Sequence, residues 1–165
     1  MHLELNVGVD SYESWTALRS RVDALPADRQ AAFALACAEG AVGPDVELLG
    51  ALESGWNALA SGGDVAQILT RLERGQELDV DPVAVTHYAL SSVRGEAGAA
   101  WWAASRAMDQ AFDGVEYPKD VVAFLPVEAD AQSREVPAEI ARQIRLLQAA
   151  ESAPDLAAAI SRLRP

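Results

Sequence analysis

The side chains with chemical potential fall in two short stretches. His87-Tyr88 follows a run of acids, Glu77, Asp79 and Asp81. An imidazole oriented by a carboxylate can act as a general base. The same pair also suits a polar helix position or a hydrogen-bonded core histidine. Asp109 and Asp113 stand four residues apart, which places both on one helix face, with Glu116 beyond them. Paired carboxylates can hold a divalent cation or trade a proton, and they can equally form a hydrated helix end. Their position at a helix C-terminus is unusual, because negative charge is mildly unfavourable there.

Trp101-Trp102 is the third feature. Neighbours on a helix point about 100° apart, so both rings are buried only when the helix is flanked on two sides. Either both belong to the core of a central helix, or one is core and the other is half-exposed and available to a partner, Trp being enriched at binding hot spots. His87, Tyr88, Trp101, Trp102, Asp109 and Asp113 are therefore the candidates for contact with a partner or ligand.

No catalytic residue is assigned. The chain has no His-Glu-x-x-His, Cys-x-x-Cys, P-loop or Gly-x-Ser-x-Gly pattern, and its two histidines are too few for most metal sites. No cofactor and no metal are expected. The single cysteine, Cys37, sits in the apolar run Phe33-Ala34-Leu35-Ala36-Cys37. It reads as a small buried hydrophobe, with no His or Lys beside it to lower its pKa. One unpaired thiol fits a reducing compartment.

The net charge is −12, with −9 carried by residues 1–82 and −3 by residues 83–165. Such a field repels phosphate backbones, so no nucleic-acid partner is expected; a basic protein would be attracted and steered, and the same acidity equally serves solubility alone. The start, Met1-His2-Leu3-Glu4-Leu5, lacks the basic region and long apolar core of a signal peptide. No apolar run approaches the ~18 residues of a membrane span. The expectation is a cytoplasmic chain without membrane contact.

The elements that must position these residues are helical. One domain over residues 1–165 is expected, an irregular or up-down bundle of about seven to eight short helices. Residues 1–9 alternate like an extended arm. Asp10 and Glu13 form a capping box for a first helix with the stripe Trp15, Leu18, Val22 and Leu25, ended by Pro26. A second helix runs from about Asp28 and is closed by Gly40 and Gly43. A third has Pro44 in its first turn and the stripe Leu49, Leu52, Trp56 and Leu59, stopped by Gly62-Gly63. Asp64 caps a fourth, with Val65, Ile68, Leu69 and Leu72, ended by Gly75. Asp81 caps a fifth, Val83–Val93, and Gly95 separates it from a sixth, Ala97–Phe112, aligned on Trp101, Ala104, Met108 and Phe112. Over 113–136 the helical pattern fails, and the apolar Val121–Leu125 reads as a short packed segment in a long loop, a type often functional. Pro137 opens a seventh helix with Ile140, Ile144, Leu147 and Gln148. Ser152 and Asp155 form a capping pair around Pro154 for an eighth with Leu156, Ile160 and Leu163.

Phe33 with Ala36-Cys37-Ala38-Glu39, then Pro44 and Trp56, resembles the YjaG-like helical proteins of bacteria, a family of unknown function. Pro137-Ala138-Glu139-Ile140-Ala141-Arg142-Gln143 resembles that family's closing Glu-x-x-x-Gln helix. The resemblance implies a helical fold and no established activity; helical families of this kind include candidates for toxin-neutralising immunity proteins.

These features together predict a non-enzymatic acidic protein-binding module, in its sharpest form an immunity protein whose acidic first half covers a basic toxin. The alternative is a small-ligand-binding protein or enzyme with an interhelical pocket near His87 and Trp101, completed by Tyr88 and Asp109. A third reading is a homo-oligomer that buries Trp102.

Overall fold

The computed structural model describes residues 12–75, 78, 80–113 and 135–164. Among them are nine helices and no strand: α1 (Tyr12–Thr16), α2 (Arg19–Ala24), α3 (Ala27–Val42), α4 (Val46–Ser61), α5 (Ala66–Gly75), α6 (Asp81–Val93), α7 (Ala99–Asp113), α8 (Glu135–Ser152) and α9 (Leu156–Leu163). The all-helical bundle expected from the spacing of apolar residues is what forms. No described helix is long and apolar enough to cross a membrane. The arm 1–9, the Asp10 cap, Glu116 and the segment Val121–Leu125 lie outside the described residues.

The centre of the bundle is α3. Eight consecutive residues, Ala31 to Ala38, are buried, as expected of a helix surrounded on all sides. It packs against α4, α6, α7, α8 and α9. Alanine on most of these positions lets the neighbours come close while the helix keeps a strong propensity. The close approach is sharpest at two glycines. A Cβ on Gly55 of α4 would lie 2.8 Å from the side chains of Leu35 and Leu90, so α3, α4 and α6 meet there only over a hydrogen. A Cβ on Gly40 would lie 2.4 Å from the Arg142 guanidinium.

Several local expectations need correction. The first predicted helix is two, α1 and α2, broken at Ala17-Leu18, where the Leu18 amide bonds back to the Trp15 carbonyl at 2.9 Å in a tightened turn. The stripe Trp15, Leu18, Val22 and Leu25 is nonetheless buried throughout. Gly40 does not end α3; the helix runs on to Gly43, whose φ of 60° suits a residue without Cβ. Pro44 precedes the cap of α4 rather than entering its first turn; the cap is Asp45, which accepts a 3.0 Å bond from the Leu48 amide. That register turns Leu49 outward and puts Leu48 into the core.

Asp81 is the first residue of α6, not its cap, and Pro82 follows in the first turn. α7 begins at Ala99, two residues later than expected. The predicted loop 113–136 loses both ends to helix: Asp113 closes α7, and Glu135 and Val136 open α8 ahead of Pro137, with Val136 buried. In α8 the buried polar residue is Gln143, while Gln148 is exposed. Asp155 caps α9 as expected, accepting from the Ala158 amide at 2.8 Å, whereas Asp64 stands one residue before the cap position of α5 and accepts from the Ala66 amide at 3.0 Å in a local turn.

The chain end is clasped to the core. Arg164 lies 5.1 Å over the Trp56 ring and pairs with Glu39 and Glu53, while the Trp56 indole N–H donates to Glu39 at 2.5 Å.

Candidate functional site

Trp101 and Trp102, adjacent in sequence, serve different surfaces. Trp101 is buried and stacks on Trp15 with ring centroids 4.8 Å apart; Tyr12 packs on Trp15 at 5.3 Å, and Phe112 meets Tyr12 edge-on at 5.4 Å. As a core ring it is unavailable to a partner, which removes it from the contact candidates. Trp102 turns outward and is 47% exposed. Its ring lies 6.4 Å from Tyr88, Tyr88 meets His87 at 5.9 Å nearly edge-on, and the Arg19 guanidinium sits 5.7 Å over the Trp102 face. Trp102, Tyr88 and His87 thus form one strip across α6 and α7, with Arg19 of α2 at one end.

His87 ends that strip beside Glu73 of α5, with Nε2 and Oε1 3.1 Å apart. The carboxylate that orients it therefore comes from a neighbouring helix, not from the preceding acidic run. Asp81 of that run is engaged elsewhere, and Glu77 and Asp79 lie outside the described residues.

Asp109 and Asp113 gather at the other end of α7 with Asp81. Arg106 bridges Asp81 at 3.2 Å and Asp109 at 4.0 Å, so an internal guanidinium supplies the positive charge in this acidic group. Burial, followed by a hydrogen bond to Asp113 and its charge, pushes the Asp81 carboxyl up to about 6, against the pull of Arg106. Partial burial also raises Asp109, offset by Arg106 and reinforced by Asp113. Among the described residues no group of three or more His, Cys, Asp and Glu is arranged to hold a metal ion.

The six candidates consequently divide into three places: Trp102, Tyr88 and His87 on one strip, Trp101 in the core, Asp109 and Asp113 in the carboxylate group.

A further polar set escaped the motif search. On α8, Arg142 grips Glu139 through two bonds, Nε to Oε2 at 2.8 Å and a terminal nitrogen to Oε1 at 2.7 Å, and donates across to the Ala36 and Cys37 carbonyls of α3 at 3.1 and 3.0 Å. Gln143, fully buried, accepts from the Trp15 indole at 2.7 Å and donates to Glu139 and the Ala104 carbonyl at 2.8 and 2.9 Å. The polar groups of this knot are matched to one another, which is what a buried network requires. Cys37 lies beneath it with its thiol pushed up to about 12, chiefly by burial; it is an inert core residue rather than a nucleophile. The visible signal was the Glu-x-x-x-Gln spacing, which sets Glu139 and Gln143 one turn apart on a face with an intervening arginine.

Comparison with protein-family models, curated proteins and solved structures found no match. The likeness to the YjaG-like proteins rests on the two sequence motifs alone.

Proposed function

We propose that this protein is a non-enzymatic binding module that presents the Trp102, Tyr88 and His87 strip to a basic protein partner. The single observation that supports this most is the half-exposed Trp102 ring. An indole is costly to leave in water, and here it is held in place by Tyr88 and Arg19 rather than folded into the adjacent core. Preorganised aromatic rings of this kind give large contact area at small entropic cost. The net charge of −12 supports a cationic partner. A basic toxin, neutralised by this chain as its immunity protein, is the sharpest form of the reading.

The test immobilises the full chain and captures proteins of its own host over a salt series from about 0.05 to about 0.5 M, a range that shortens the screening length severalfold. A basic protein that is held at low salt, released at high salt and lost with Trp102→Ala is the expected result. Capture indifferent to both salt and Trp102→Ala would end the proposal. For the immunity version, expression of the captured protein alone should arrest growth, and co-expression of this chain should restore it.

A further inference from the structure

A groove of about 210 Å³ runs between α4 and α5, with Val46, Gly50 and Ser54 on the α4 side and Ile68 and Leu72 on the α5 side. Its lining is largely apolar. Leu72 is buried and Ile68 half-buried, and the Ser54 hydroxyl turns back onto the Gly50 carbonyl at 3.1 Å. Val46 is 82% exposed, more than any other large hydrophobic side chain among the described residues, and Leu49 one turn along is 37% exposed. Single exposed apolar residues are ordinary, whereas several gathered on one helix beside a groove mark a contact surface.

Gly50 points the same way. Both Gly50 and Gly55 lie inside α4, where glycine weakens a helix relative to alanine. The fold explains Gly55, whose Cβ would collide with Leu35 and Leu90. It does not explain Gly50, where a Cβ would meet nothing within 4 Å. A glycine there suits a second backbone laid closely across α4.

The two walls carry opposite charges. Glu47 stands on α4 and Arg71 on α5; both line the groove, and neither has a hydrogen bond or ion pair among the described residues. Arg74, three residues on, is likewise unpaired. In this acidic chain Arg21, Arg94, Arg106, Arg142 and Arg164 each find a carboxylate, so two open guanidiniums on one helix are an exception. A groove with one sign on each wall matches neither a uniformly basic nor a uniformly acidic surface. It matches the same groove turned over, because a two-fold rotation about its long axis sets α4 of one copy against α5 of the other.

We propose that this groove is the contact face for a second copy of the chain, with Glu47 of each copy against the partner's Arg71. Val46 and Leu49 are covered in that arrangement, and Gly50 lets the helices approach. The net charge of −12 opposes self-association. At about 0.15 M salt, however, repulsion beyond ~8 Å is screened, while charges in contact across the groove still attract. The groove shares no lining residue with the Trp102 strip, so either reading can fail while the other stands.

The experiment is sedimentation velocity of the full chain from about 1 to about 300 µM, where a dimer with a Kd of about 1–100 µM is expected. Gly50→Gln places a side chain in open space, so it should keep the melting midpoint and weaken self-association about tenfold or more by obstruction. Glu47→Arg or Arg71→Glu alone turns two attractive contacts into two repulsive ones and should weaken it about threefold to thirtyfold. An equimolar mixture of those two variants should regain the wild-type affinity, since each chain then meets its opposite. The charge changes lie at exposed positions and decide the matter even if Gly50→Gln melts early. A monomer throughout the range, a dimer that neither charge change weakens, or a mixture no tighter than its components overturns the proposal. So does dissociation by Trp102→Asp, which would put the contact face on the strip.

Discussion

Two tryptophans in this protein carry an arginine on the ring face, and they differ in everything else. Trp56 is 1% exposed; its N–H is held by Glu39, and Arg164 over its face is tied to Glu39 and Glu53. Trp102 is 47% exposed, and among the described residues Arg19 over its face pairs only with Asp23 one turn along, at 3.8 Å. The first arrangement is closed, with each polar group matched inside the fold. The second leaves the ring half in water and its cation held by one exposed ion pair. An arginine–tryptophan contact alone therefore says nothing about role; the number of other bonds each partner makes separates a closed structural clasp from an open surface.

Trp56→Ala should break the closed side most severely. It removes a fully buried indole from the core and leaves Glu39 and Arg164 without the ring between them. A loss of about 3–5 kcal/mol is expected from a large-to-small change of this kind, read as the midpoint shift in urea at unchanged slope. A loss under about 1 kcal/mol, a third of the low end of that range, would mean that the clasp is not closed at all.

Arg142→Ala tests the other closed set. It leaves Glu139, whose side chain is only 13% exposed, with the Gln143 amide as its remaining donor, and uncovers the Ala36 and Cys37 carbonyls. Because Arg142 itself retains some exposure, the cost should reach about 3 kcal/mol at most. Restoring the charge with Arg142→Lys should recover little, since a lysine cannot hold Glu139 through two bonds while reaching α3.

How much of this contrast was legible beforehand follows from what spacing encodes. The three-four periodicity of Leu, Val and Trp marks which helices exist and which face is buried, and Trp15, Trp56, Ile140 and Leu147 fell where it placed them. It does not encode register near a cap, so Leu48 and Leu49 exchanged roles once Asp45 rather than Pro44 began α4. Trp102 was legible as one of an adjacent pair of which one could face outward, but which one depends on the packing of α7 against α3, α6 and α8. The Glu139, Arg142 and Gln143 knot was not read as a site, because its meaning lies in partners far along the chain, Ala36, Cys37 and Trp15. Likewise His87 took its carboxylate from Glu73 on another helix.

Asp81 stands between the open and closed cases, paired with Arg106 yet crowded by Asp113. Its carboxyl, ordinarily near 3.8, is raised in the folded protein to about 6. A raised acid favours folding fully below its unfolded pKa and loses that contribution as pH climbs through the folded value. Stability should therefore decline between about pH 4 and about pH 7 through this group, and Asp81→Asn should flatten that part of the profile. Thermal melts of the two chains across this range decide it: a wild-type slope that survives in Asp81→Asn places the titration elsewhere.

Trp102→Ala should have the smallest effect on the fold and is for that reason the sharpest probe of the contrast. Its ring is half in water, Trp101 beside it keeps the stack on Trp15, and Arg19 retains Asp23. Exposed substitutions away from caps and buried networks usually change stability by no more than about 0.5 kcal/mol, and the urea midpoint should move within that range. A loss of several kcal/mol, comparable with Trp56→Ala, would show that Trp102 is as closed as Trp56 and would remove the physical basis for a docking strip. A neutral melt joined to lost, salt-sensitive binding separates the two tryptophans by role, because the same deletion then costs fold at one ring and recognition at the other.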